Sequence, residues 1–73
     1  MYDNKIIVRA DYYPSGEIIP LCVTLPSGES VFLDAITTIE NDFETNKVLY
    51  HCLAKGNTII LSRQNNTWFV EKC

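Results

Sequence analysis

The sequence predicts an all-β fold: one small antiparallel domain of five or six strands, closed into an SH3-like barrel. Three observations predict it. Apolar and polar residues alternate with a period of two along much of the chain. The tetrapeptide Pro-Ser-Gly-Glu occurs twice, at residues 14–17 and 26–29, and sets a regular turn spacing of the kind found in small sandwiches and barrels. The stretch 57–71 reads as a β-hairpin, two apolar runs (59–61 and 68–70) joined across Asn65-Asn66.

Residues 5–13 form the first predicted strand. Ile6, Val8, Ala10 and Tyr12 lie on one face, Ile7, Arg9, Asp11 and Tyr13 on the other. Pro14-Ser15-Gly16 ends it, proline presetting φ and glycine supplying a positive one. Residues 17–25 follow, with Ile19, Leu21, Val23 and Leu25 as an apolar face. Pro20 has no N–H for a ladder, so this part belongs at an edge or a bulge.

Residues 30–40 form the third strand. Val31, Leu33 and Ala35 alternate, then Ile36 and Ile39 break the parity, which predicts a bulge or bend of the kind a small barrel needs to close. The competing reading is a short helix, since Ala35, Ile39 and Phe43 have helical spacing. The β-branched run Thr37-Thr38-Ile39 argues for the bent strand. Residues 41–46 read as an acidic loop containing Phe43. Residues 47–55 read as a strand with Val48, Tyr50, Cys52 and Ala54 on one side.

In the final hairpin, a type I′ turn at Asn65-Asn66 sets Gln64 opposite Thr67, Arg63 opposite Trp68 and Leu61 opposite Val70. Leu61, Arg63, Trp68 and Val70 then share one face, and Ile60, Ser62, Phe69 and Glu71 the other. Apolar groups on both faces suit a strand pair buried on both sides, as in a closed barrel or at a dimer interface. An open sheet paired across a dimer is the second architecture.

The 73 residues make one domain, 1–73, short enough that its core is marginal. The hydrophobic fraction of 47% opposes disorder. The net charge of −3 and the scattering of six Lys and Arg residues oppose a nucleic-acid footprint. No apolar run is long enough to span a membrane, and no signal peptide precedes the first strand. Three cysteines without paired spacing point to reduced thiols and the cytoplasm.

A set of landmarks runs through nearly the whole chain: Pro14-x-Gly16-x-Ile18-x-Pro20-Leu21, Gly28, Leu33-Asp34-x-Ile36, Tyr50-x-Cys52 and Trp68-Phe69-Val70-Glu71. In that order they resemble a group of short uncharacterised proteins from Firmicutes. Two departures stand out: Val31 where the group has an aromatic, and a loop at 41–46 that is shorter and lacks glycines. The resemblance implies a bacterial, cytoplasmic, β-barrel-like protein and no activity.

No constellation for catalysis emerges. Cys22, His51, Cys52 and Cys73 are the soft metal ligands, but zinc spacing is missing, and adjacent His51 and Cys52 point to opposite faces of a strand. No metal and no cofactor are expected. Burial among Leu33, Ala35 and Ile36 would raise the pKa of Asp34; an exposed carboxylate bonded to a neighbouring turn is the more ordinary reading. Tyr12, Tyr13, Arg63 and Trp68 are the candidate binding residues, a surface face on which bases or peptides could stack. The expected function is therefore a small non-catalytic interaction module, binding a protein partner or itself. The alternative is single-stranded nucleic-acid binding through that aromatic and arginine face.

Overall fold

The computed structural model describes residues 5–72; Cys73 and its thiol lie outside them. Seven strands form one antiparallel sheet: β1 (Lys5–Tyr12), β2 (Ile18–Thr24), β3 (Ser30–Phe32), β4 (Ala35–Asp42), β5 (Lys47–Ala54), β6 (Asn57–Gln64) and β7 (Thr67–Lys72). Their spatial order is β3-β2-β1-β7-β6-β5-β4. Strands β3 and β4 stand at opposite ends of that order, yet only Leu33 and Asp34 separate them in the chain. Laid flat, seven strands span roughly 29 Å at about 4.8 Å per gap. Three residue steps reach at most about 11 Å. The sheet must therefore curl, and it does so as a half-barrel.

The corner at Leu33 and Asp34 ties the two ends together. The Leu33 amide donates to the Leu21 carbonyl at 2.9 Å, toward β2, and the Asp34 amide donates to the Leu53 carbonyl at 2.7 Å, toward β5. The expected bent strand is thus present as β3 and β4, and no helix replaces it.

The expected closure into a five- or six-stranded barrel is corrected: the described residues form seven strands, and the curled sheet stays open. The cause lies in β2. The register against β1 slips where Arg9 pairs with Cys22 but Ala10 pairs with Pro20, leaving Leu21 as the extra residue. Pro20 lacks an N–H, and β3 covers β2 only from Cys22 to Thr24. Among the described residues, the Ile18–Leu21 half of β2 therefore pairs with no strand on its other side. The same bulge breaks the expected apolar face, so that Pro20 and Val23 are buried while Leu21 is exposed.

The core fills the concave side. Ile6, Val23, Tyr50, Cys52, Leu61 and Trp68 are buried together, with Val8, Leu33, Ile36, Val48 and Val70 against them. Apart from Leu33 of the corner, each comes from the inward parity of its strand. Tyr50 faces Leu61 across β5 and β6, and Leu61 faces Val70 across β6 and β7. The Tyr50 and Trp68 rings lie 5.3 Å apart in a tilted pair.

The turns follow the local sequence. At both Pro-Ser-Gly-Glu sites the residue before proline accepts from the glycine amide at 2.9 Å. In each, glycine takes a positive φ, 93° at Gly16 and 94° at Gly28. This is a type I turn closed by a left-handed glycine, one solution used twice. In the last hairpin the predicted register is observed, Gln64 with Thr67 and Arg63 with Trp68. The type I′ expectation there is corrected: Asn65 takes a positive φ of 57° and Asn66 does not. Positive φ at both central residues occurs instead at Lys55 (52°) and Gly56 (78°), between β5 and β6.

Candidate functional site

A concavity lies where the sheet fails to close. It is a groove of about 520 Å³, walled on one side by Ile19, Pro20 and Leu21 of β2 and on the other by the chain from Leu33 through Ile39. Its lining is mainly apolar, and Leu21 (39%) and Ile39 (40%) keep much of their surface in solvent. Beside it runs β4, whose one sheet neighbour among the described residues is β5. Seven of its eight residues are exposed, all but Ile36. In an antiparallel ladder, alternate residues direct N–H and C=O groups away from the partner, so the outer side of β4 presents unpaired backbone groups.

A bulge interrupts β4 at Thr37, where the register against β5 shifts between Ile36 and Thr38. The Thr37 hydroxyl donates to the His51 carbonyl at 3.1 Å. Beyond it, five residues pair regularly, from Thr38 opposite His51 to Asp42 opposite Lys47. Thr38, Glu40 and Asp42 face the convex side; Ile39, which pairs with buried Tyr50, faces the groove. The β4–β5 turn is fixed by Asp42, whose Oδ1 accepts from the amides of Glu44 (3.1 Å) and Thr45 (3.4 Å). Hydrogen bonding to Thr45 first, then to Glu44 and aided by the Lys47 charge, holds that carboxyl below its ordinary pKa. Phe43 stands at the turn's tip, 90% exposed.

The four predicted binding residues do not form one surface. Tyr12 (67%) and Tyr13 (47%) are exposed at the end of β1, but Trp68 is 5% exposed, which corrects its expected surface position. Its inward parity on β7 puts the indole in the core, where it has no free face for stacking. Arg63 is half-buried above it, with Cζ 6.0 Å from the ring centroid. The guanidinium donates from Nε to the Tyr50 hydroxyl at 3.4 Å and from Nη1 to the Asn65 carbonyl at 3.0 Å. It closes one end of the core and braces the last turn.

The remaining candidates resolve into structural roles. Asp34 is exposed, and its Oδ2 accepts from the Lys55 amide at 2.8 Å, holding the left-handed turn against the corner. Cys52 is fully buried; its thiol donates to the Tyr50 carbonyl at 3.5 Å, and burial pushes its pKa up to about 11. Cys22 is half-buried on the convex side of β2. His51 points away from Cys52 and donates from Nε2 to Glu40 Oε1 at 2.5 Å. Among the described residues, no three His, Cys, Asp or Glu side chains cluster as a metal site would require. On the convex face, Ser62 is buried and donates to Glu71 Oε2 at 2.6 Å, and Lys47 reaches the same oxygen at 3.7 Å.

Sequence reasoning missed the groove. Pro20 flagged an edge or bulge, which is one wall of it, but nothing local marked the other wall as its neighbour. Among the described residues no helix is long and apolar enough to cross a membrane. No family model, no curated protein and no solved structure matches this chain.

Proposed function

We propose that this protein is a small non-catalytic interaction module that binds a protein partner along the free edge of β4. One observation carries the reading: an exposed eight-residue edge strand flanks an apolar groove. Unpaired backbone groups on a sheet edge are a template for another extended chain, and a groove beside the edge takes its alternate side chains. The reading includes a cytoplasmic setting and kinship with the short Firmicutes proteins that share the landmark residues, and neither supplies an activity.

The test uses two variants on opposite walls, Ile39→Asn and Leu21→Asn, both at partly exposed positions that tolerate a polar side chain. A partner recovered with the wild-type chain is purified and its binding measured by titration calorimetry. Both variants are expected to bind at least tenfold more weakly with melting temperatures close to wild type. Equal binding by wild type and both variants would place the interface elsewhere and end the proposal.

A further inference from the structure

Resting on that reading, we infer that the strand received by β4 is a basic one: an extended segment of the partner in which Lys or Arg alternates with apolar residues. The first support is how charge is distributed. Although the Lys and Arg residues stand singly, none lies between Arg9 and Lys47, and neither does the one histidine. That span holds all the acidic residues of the chain except Asp3 and Glu71, so seven of nine. Both walls of the groove and the whole of β4 lie inside it.

The second support is the alternation along β4 past its bulge. A strand laid beside β4 sets its side chains next to those of β4, face by face. On the inward side its neighbours past the bulge are Ile39, beside the groove, and Asn41, and Ile39 selects an apolar residue. Toward the convex side they are Thr38, Glu40 and Asp42, which select positive charge. β4 itself carries these two acids and no basic residue, and the two cations on that face belong to β5, Lys47 opposite Asp42 and His51 opposite Thr38. His51 engages one oxygen of Glu40, and the Lys47 ammonium reaches Glu71 at 3.7 Å. The same distribution disfavours a second copy as occupant, since its β4 edge would bring an equally acidic row.

The experiment follows the amide resonances of the isotope-labelled chain as three end-capped octapeptides are added. In them valine alternates with lysine, with threonine or with glutamate. The lysine peptide is expected to shift the amides of Thr38 to Asp42 and to bind at least tenfold more tightly than the glutamate peptide. Its affinity should fall several-fold between low and physiological salt, and fall again in Glu40→Lys. If the threonine peptide shifts the same amides as strongly as the lysine peptide, the basic preference is wrong and the edge reading stands. If no peptide shifts β4, both are wrong. If the chain dimerises through β4 in light scattering and excludes every peptide, the occupant is a second copy and the inference is overturned.

Discussion

Two cysteines on the same fold have opposite chemistry, and parity alone separates them. Cys52 shares the inward face of β5 with Tyr50 and is completely buried, whereas Cys22 sits on the convex side of β2. A thiol in apolar surroundings is poorly ionised and poorly reached. In a Cys73→Ser background, an aromatic disulfide reagent should titrate one thiol in the native protein and two after unfolding. Titration of two native thiols would contradict the burial of Cys52. The raised pKa also predicts a pH dependence. The folded state keeps the Cys52 proton up to about 11, while the unfolded state releases it near the ordinary value of 9.0. Stability from this group is therefore whole below pH 9 and is lost as pH rises from there through 11. The gap in urea midpoint between wild type and Cys52→Ala should narrow across that window, and a constant gap would deny the linkage.

At the scale of elements, turns and strand faces were legible and the groove was not. The two Pro-Ser-Gly-Glu sites carry their geometry locally: proline sets one φ and glycine, two residues on, takes the positive one, so the same four residues fold the same way twice. A left-handed residue with a Cβ costs roughly 1–2 kcal/mol. Gly16→Ala and Gly28→Ala should each destabilise by about 1 kcal/mol. A side chain at either site would meet nothing within 4 Å, so the cost is backbone strain and not collision. Urea denaturation should give near-equal losses that add in the double variant, and a large inequality would mean that one turn carries tertiary contacts. The parity break after Ala35 likewise announced a bend. Its destination was hidden, because which strand meets β3 and which meets β4 depends on pairings far apart in sequence. Trp68 was misplaced for a related reason. The hairpin register put it on a face with Leu61 and Val70, but period two cannot say which face becomes concave.

At the scale of the whole molecule, one buried core spans both halves of the sheet. Among the described residues, β1 pairs with β7 at Lys5 with Phe69 and Ile6 with Trp68. The other ladders among the described residues join β1–β2–β3 on one side and β4–β5–β6–β7 on the other, with the Leu33–Asp34 corner as a further link. Yet Val23 of β2 and Trp68 of β7 belong to one buried cluster. A domain of this length has about 4–11 kcal/mol of stability in all. Removing the buried Val23 side chain forfeits roughly 1.5–3 kcal/mol of it. Val23→Ala should therefore lower the urea midpoint read from Trp68 fluorescence, although Trp68 sits in the other half. Far-UV circular dichroism should report the same midpoint, because a chain with one shared core unfolds in one step. An early loss of dichroism with the Trp68 transition left in place would mean that the β1–β2–β3 half opens alone. The groove between β2 and β4 would then be a hinge between two units instead of a fixed surface, and a strand binding there would have to hold them together.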